Sequence, residues 1–167
     1  MRRKENRMST CVFPGSFDPV TAGHLDIIRR AAMLFDTVHV TVMINMNKQG
    51  AVPVKDRIRL LEKACKPFPN VIIDQWDGLL ADYMRVHGER ILIRGVRGGS
   101  EFEHEYTSAL LNKRLNGQME TLLMPSDPEL SAISSSAVRE ISAFGGDISG
   151  MVPEDCLKDI QELLSKK

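Results

Sequence analysis

Residues 10–24 read TCVFPGSFDPVTAGH, in which a short apolar segment runs directly into a loop rich in glycine, proline and serine. Residues 10–13 are mainly β-branched, apolar or aromatic, which predicts a strand. The hydroxyl of Thr21 can cap a helix that begins near Ala22. Apolar residues then recur at the spacing of one helix face, at Leu25, Ile28, Ala32 and Phe35. This stretch therefore predicts a strand, a loop and a helix in direct succession.

The same alternation continues to the end of the chain. Further strands are predicted at residues 38–44, 71–73, 91–93 and 120–124. Helices are predicted through Ile58, Leu61 and Ala64, with Pro53 in the first turn, and at residues 79–86, 102–115, 134–144 and 153–164. Such alternation indicates right-handed βαβ units, and apolar strands fit a sheet covered on both faces. We therefore predict an α/β fold: a doubly wound, five-stranded parallel sheet of the Rossmann-like type.

The chain has 167 residues, which fits one domain, and we assign residues 9–167 to it. Lysine plus arginine equals aspartate plus glutamate, 22 against 22, so the formal net charge is zero. A nucleic-acid partner is therefore not expected, since such proteins usually carry a basic surplus. No apolar run is long enough to span a bilayer, so we expect no membrane partner either.

The three cysteines, Cys11, Cys65 and Cys156, are scattered and show no metal-binding spacing. We interpret them as reduced, buried thiols of a cytoplasmic protein. Residues 1–7 are charged and lack the apolar centre of a signal peptide. Residues 1–8 are therefore predicted to form a disordered extension, or to precede a natural start at Met8.

Ligands of doubly wound sheets bind beyond the carboxyl ends of the strands. The loop after the first predicted strand carries Gly15, Ser16 and Thr21, and His24 follows in the first helical turn. There the imidazole lies beside unpaired backbone N–H groups and the positive end of the helix dipole. An imidazole in this place can donate a hydrogen bond to phosphate. We therefore predict a phosphate site rather than a capping turn with an incidental histidine.

Two further loops are rich in phosphate-binding groups. In Arg94-Gly95-Val96-Arg97, after the predicted strand at 91–93, two guanidinium groups flank a glycine that permits close approach. Residues 133–139, ISSSAVR, place three serines at a helix start, where hydroxyls and free N–H groups occur together. Taken alone, the first is a solvated basic turn and the second an ordinary N-cap. Together with the His24 loop, they predict a cradle for the phosphates of a nucleotide.

Three charged residues carry no signal of their own. Lys48 lies in the polar loop of residues 45–52, and His104 and Glu105 lie on the helix after the arginine loop. From the residues alone, all three are ordinary surface positions.

Two segments, TAGH at residues 21–24 and ISSSAVR at residues 133–139, resemble the hallmarks of a nucleotidyltransferase superfamily. Within it, FPGSFDP at residues 13–19, LIRGVR at 92–97 and FEHE at 102–105 resemble the phosphopantetheine adenylyltransferase family. The likeness covers nearly the whole chain. The resemblance implies transfer of the adenylyl group of ATP to 4′-phosphopantetheine, which gives dephospho-coenzyme A and pyrophosphate in coenzyme A biosynthesis.

The resemblance also implies roles for individual residues. His24 would stabilise the α-phosphate in the transition state, and Lys48 and Arg94 would hold the acceptor phosphate. Ser16 would contact both reactants, and Leu80 would line the pantetheine channel. The implied ATP contacts are Ser16, Phe17, His24, Gly95, Val96, Arg97, Glu105, Leu130, Ser131, Ala132, Ile133, Ser134, Ser135 and Ser136.

The resemblance further implies Mg²⁺, which would bridge phosphate oxygens and be held chiefly by the nucleotide, with no protein ligand assigned. Homohexameric assembly is expected on the same ground. Two alternatives stay open from the residues. The shared hallmarks also fit adenylyl or cytidylyl transfer to another acceptor, such as nicotinamide mononucleotide or glycerol phosphate. A nucleotide-binding module without catalysis is the second alternative.

Overall fold

The structure, a computed structural model, describes residues 9–45 and 50–165 of the chain. The predicted extension at residues 1–8 lies outside the described residues. The strands are β1 (Thr10–Gly15), β2 (Thr37–Ile44), β3 (Val71–Asp77), β4 (Ile91–Val96) and β5 (Glu120–Pro125). The helices are α1 (Ala22–Leu34), α2 (Val54–Cys65), α3 (Leu80–His87), α4 (Gly99–Leu115), α5 (Ser135–Ala143) and α6 (Leu157–Ser165). Two short 3₁₀ turns, Pro128–Leu130 and Glu154–Cys156, complete the regular structure that the described ranges contain.

The strands form one parallel sheet in the order β3-β2-β1-β4-β5. The predicted α/β class with five parallel strands is confirmed. The chain runs outward from β1 to β3, then crosses back to β4, so the strand order reverses between β1 and β4. The loops after these two strands therefore diverge to opposite faces and leave a crevice between them, which is the usual ligand site of such sheets.

Two strands, β3 and β4, are longer than predicted by three residues or more. β3 continues through the polar Asp74 to Asp77, where the sequence has no apolar run. β3 is an edge strand, and Asp74 accepts a hydrogen bond from the Tyr83 hydroxyl at 3.0 Å, so polar side chains are accommodated there. β4 continues through Val96 because its ladder with β5 pairs Arg94 with Leu123. Arg94 therefore lies on a strand rather than in the loop predicted for it.

Strand alternation directs apolar side chains to two cores of different size. The larger core lies on the face covered by α1, α2, α5 and α6, and includes Val40 of β2 and Ile93 of β4. The smaller core, on the other face, contains Val12, Leu92 and Tyr83 and is covered by α3. Each fully buried aliphatic side chain contributes roughly 1.5–3 kcal/mol to folding. The sheet is thus covered on both faces, as the apolar strands predict.

The cysteines are free and buried, as expected. Burial raises the pKa of Cys11 and of Cys65 to about 12, so both thiols are protonated at neutral pH. Among residues 9–45 and 50–165, no helix combines the length and the apolar character that crossing a bilayer requires.

Candidate active site

A cleft of about 1030 Å³ opens at the carboxyl ends of β1 and β4, where the strand order reverses. Gly15 and Ser16 border it from the end of β1, and Arg94 and Gly95 border it from the end of β4. A Cβ atom on Gly15 would lie 3.0 Å from the Phe17 ring, a tight contact that favours glycine where the chain folds back after β1. The fold therefore brings the predicted phosphate loops to one opening.

His24 is held by a reciprocal cap at the start of α1. The Thr21 hydroxyl accepts the backbone N–H of His24 at 3.2 Å, and His24 Nδ1 accepts the backbone N–H of Thr21 at 3.1 Å. A backbone N–H can only donate, so Nδ1 is unprotonated. In the neutral ring the proton is then on Nε2, which is available as a hydrogen-bond donor.

The surroundings of His24 keep its imidazole neutral. Burial, followed by the positive charges of Arg94 and Arg97, lowers the pKa of His24 from 6.5 to about 4. The ring packs against that of Phe17 in a T-shaped arrangement, with 5.0 Å between the ring centroids. At neutral pH the cleft therefore holds an oriented imidazole that donates a hydrogen bond without carrying a charge.

This lowered pKa predicts a pH effect on stability. Below about pH 6.5 the unfolded chain binds a proton at this side chain that the folded protein takes up only near pH 4, so stability falls as the pH drops through that window. We expect the melting temperature of the wild type to fall more between about pH 7 and pH 5 than that of His24→Gln, which retains a capping side chain. Calorimetry of both proteins measures this, and parallel pH dependences would contradict it.

Arg94 is clamped between α4 and β1. Its Nε and Nη2 atoms donate to the carboxylate of Glu105 at 2.8 and 2.7 Å, and Nη1 donates to the Pro14 carbonyl at 2.7 Å. Glu105 is buried, which makes this bidentate pair rigid. A guanidinium has five N–H donors, so two remain beyond these three bonds. Arg94 thus presents an oriented positive charge to the cleft.

Arg97 connects the arginine segment to the serine loop. Its Nη2 atom lies 2.5 Å from Glu101 Oε1, and Nη1 donates to the Ile133 carbonyl at 3.0 Å. Hydrogen bonding with Glu101 raises the pKa of Arg97, and the same bonds lower the pKa of Glu101. The guanidinium is therefore charged and held next to the start of α5.

The serine triplet forms the first turn of α5, but its hydroxyls are already engaged. Ser134 caps the helix by accepting the Ala137 N–H at 3.0 Å. Ser135 donates to the Pro19 carbonyl at 2.8 Å, and Ser136 accepts from Arg139 at 3.1 Å. The backbone N–H groups of Ser135 and Ser136 have no intrahelical acceptor, so they can donate to an anion.

The structure brings most of the predicted site residues to the cleft and leaves others outside its lining. Those that line it are Ser16, His24, Leu80, Arg94, Gly95, Arg97, Glu105, Ile133, Ser134, Ser135 and Ser136. Those that do not are Phe17, Val96, Leu130, Ser131 and Ala132. The Phe17 ring lies in the larger core. Lys48 lies outside the described residues, although Asn45 and Gly50 on either side of the gap both line the cleft.

The sequence interpretation missed one wall of the cleft. Ser108, Leu111, Asn112 and Leu115 of α4 line it together with Leu80 of α3. Their spacing along α4 is that of one helix face, and this is the signal that could have identified them. The carboxylate partner Glu101 was also missed, although it lies four residues after Arg97. The cleft therefore has a charged half and a half with leucine side chains.

The sequence is similar to those of known nucleotidyltransferases. Residues 12–141 match the family described as cytidylyltransferase-like. The chain is 42% identical over 153 residues to a phosphopantetheine adenylyltransferase of Clostridium tetani, with 92% of this chain and 96% of the relative covered. It is 45% identical over 159 residues to a phosphopantetheine adenylyltransferase of Rubrobacter xylanophilus, with 95% of this chain and 97% of the relative covered.

A solved structure shares the fold. It comes from Vibrio parahaemolyticus and is provisionally described as a nicotinate-nucleotide adenylyltransferase. The two structures superpose with a TM-score of 0.63 at 15% sequence identity, over 95% of this chain and 96% of the other. At this identity the likeness concerns the fold, whereas the two relatives above are similar along almost their full sequences. The chain therefore belongs to the phosphopantetheine adenylyltransferase family of cytidylyltransferase-like proteins.

Proposed function

We propose that the protein transfers the adenylyl group of ATP to the phosphate of 4′-phosphopantetheine, and that dephospho-coenzyme A and pyrophosphate are released. The observation that carries the proposal is the convergence of His24, Arg94, Arg97 and the start of α5 on one cleft. Three cationic or proton-donating side chains and a helix N-terminus suit two phosphate-bearing reactants at once.

The reaction needs no base from the protein. A phosphate monoester has its second pKa near 6, so the acceptor is already a nucleophilic dianion at neutral pH. An acceptor oxygen attacks the α-phosphorus of ATP, a new P–O bond forms, and pyrophosphate departs with the electron pair of the broken P–O bond. The Nε2–H group of His24 donates to the α-phosphate oxygens as their charge develops. Positioning and charge stabilisation account for the rate enhancement.

The two reactants bind at opposite sides of the charged part of the cleft. Gly95, Arg97 and the N–H groups of Ser135 and Ser136 hold the ATP phosphates at one side. On the other side, Arg94 and Ser16 bind the acceptor phosphate, and the resemblance assigns Lys48 to the same phosphate.

The apolar wall receives the pantetheine arm. Leu80, Leu111 and Leu115 line this part of the cleft, where the arm has methyl and methylene groups to bury. Asn112 lies on the same wall and offers an amide to the amide groups of the arm. This combination fits pantetheine better than it fits a second nucleoside.

Magnesium would enter this reaction bound to the nucleotide substrate. The acidic residues that line the cleft are engaged with the protein: Glu101 with Arg97, Glu105 with Arg94, and Asp18 with backbone N–H groups. No cluster of three or more candidate metal ligands occurs in the described part of the chain. The residues therefore fit Mg²⁺ held by phosphate oxygens and water rather than by a protein cage.

Assembly and location complete the proposal. Phe102, Tyr106 and Leu110 form an apolar stripe on α4 and are each about half exposed, at 49%, 55% and 55%. A second copy of the chain would cover such a stripe, which supports the homohexamer. Sedimentation equilibrium measures the mass of the assembly, and a monomer at micromolar concentration would contradict the homohexamer.

The buried, reduced cysteines support a cytoplasmic location.

The substrate assignment is tested by product analysis. We expect mass spectrometry to detect dephospho-coenzyme A after incubation with Mg–ATP and 4′-phosphopantetheine, together with equimolar pyrophosphate. Nicotinamide mononucleotide and glycerol phosphate serve as control acceptors and should give no product, because neither extends along the leucine wall. If only one of these control acceptors were adenylylated, that compound would be the substrate instead of 4′-phosphopantetheine. If ATP bound but no acceptor were adenylylated, the protein would be a non-catalytic nucleotide-binding module.

A further inference from the structure

A buried ion cluster lies at the base of the cleft. The Asp18 carboxylate accepts the backbone N–H of Ala51 at 2.9 Å and that of Val52 at 2.7 Å. Asp18 is 9% exposed and Arg57 is 7% exposed, and 3.5 Å separates Arg57 Nε from Asp18 Oδ1. Asp18, in the loop between β1 and α1, thus holds the end of the loop between β2 and α2 in place.

Arg57 of α2 connects the same two loops a second time. Its Nε atom donates to the Val52 carbonyl at 2.7 Å, and Nη1 donates to the Ser16 carbonyl at 3.2 Å. A Cβ atom built on Gly50 would lie 1.4 Å from Nη2, so the guanidinium occupies the space beside a bare backbone. Arg57 therefore fills the junction between the loop that carries Ser16 and the segment that begins at Gly50.

Arg139 of α5 joins the cluster from the other side. Its Nη1 atom donates to the Asp18 carbonyl at 2.5 Å, and Nη2 donates to Ser136. The contacts of Arg57 are on the acceptor side of the cleft, with Ser16 and residues 50–52, whereas Arg139 reaches the serine turn. The two arginines therefore support different halves of the site.

We propose that Arg57 is a positioning residue for the acceptor phosphate: it fixes the β2–α2 segment against the Ser16 backbone through Asp18 and the Val52 carbonyl. The inference rests on the proposed function, since the acceptor phosphate binds between these two segments. Arg57 itself touches no reacting atom in this scheme. Its guanidinium is suited to the role because its planar fork holds the donors in fixed directions, whereas the three donors of an ammonium group rotate on a flexible stem.

The test compares Arg57→Lys with a matched control, Arg59→Lys, on the same helix. Arg59 has a half-exposed side chain and pairs with Asp56 and Asp159 at the surface, so its replacement should leave the kinetics unchanged. For Arg57→Lys we expect the acceptor KM to rise and kcat to fall, each about tenfold or more, because small displacements of bound reactants slow transfer strongly. The KM for ATP should rise much less than the acceptor KM, since the bonds of Arg57 reach neither Arg97 nor the serine turn, which hold the ATP phosphates.

Equal effects on both KM values, or normal kinetics in a destabilised Arg57→Lys protein, would overturn the proposal, because a merely structural residue would give either result. Asp18→Asn, which retains the shape of the side chain, should also raise the acceptor KM, and normal kinetics there would count against the proposal as well. Thermal melting identifies a variant that fails to fold. If either Arg57→Lys or Asp18→Asn does so, the kinetics of the other variant test the proposal. Failure of the proposed function is distinguishable, because it appears in the wild type as absence of turnover with 4′-phosphopantetheine.

Discussion

Replacement of His24 by Ala lowers kcat by roughly a hundredfold or more, the scale of one lost transition-state donor. ATP affinity should stay nearly unchanged, since Arg97 and the start of α5 hold the phosphates in the ground state. The imidazole is neutral, with its pKa lowered to about 4, so its removal changes no charge in the cleft. Single-turnover kinetics at saturating substrates measure the loss, and ATP titration measures the affinity.

The control for this variant is Thr21→Ala. Thr21 and His24 cap α1 together, and loss of either side chain should lower the free energy of unfolding by about 1 kcal/mol. Thr21→Ala keeps the imidazole, so its kcat should fall far less. If His24→Ala turned over at the wild-type rate, the histidine would have only the capping role.

Replacement of Arg94 by Ala raises the acceptor KM about 10- to 100-fold, the scale of one charge-assisted contact to phosphate. The single variant leaves the buried Glu105 carboxylate without its bidentate partner. Breaking a fully buried pair costs about 3–5 kcal/mol, and the loss here should be smaller because the Arg94 side chain is 32% exposed. We therefore expect Arg94→Ala to melt early and the double variant with Glu105→Gln to recover much of the stability. The acceptor KM should stay high in both proteins.

Steady-state kinetics with each substrate varied in turn separate the two roles of this arginine. A surface control is Arg29→Ala, because Arg29 has a half-exposed side chain and pairs with Asp26 on α1. It should leave both KM values unchanged. If Arg94→Ala raised only the KM for ATP, the acceptor phosphate would bind to the other arginine, and the division of the cleft would be reversed.

The fold could be predicted from sequence wherever a segment is buried and its residues are therefore apolar in a regular pattern. β2 and α1 match the expected ranges closely, because one has a run of apolar β-branched residues and the other an apolar face with a threonine cap. The end of β3 could not be predicted, because Asp74 and Gln75 belong to an edge strand whose polar groups find partners only in the folded protein. The strand order is likewise a property of tertiary contacts.

For the site, sequence motifs identified the charged side chains but not the residues that bind and orient them. His24 and the serine turn are recognisable because a cap and a phosphate site use the same local backbone. The pairing of Arg94 with Glu105 spans eleven positions, from a strand to the following helix, and no local pattern indicates it. The leucine wall of α4 was overlooked because this helix has apolar residues on several sides.

The contact between Gly50 and Arg57 also limits how this sequence can vary. Any side chain at position 50 would collide with a guanidinium that is fixed by two carbonyls and a carboxylate. A shorter residue at position 57 would make room but would release the loop. A side chain at position 50 therefore requires a change at position 57 as well, and protein engineering at this loop should consider the two positions together.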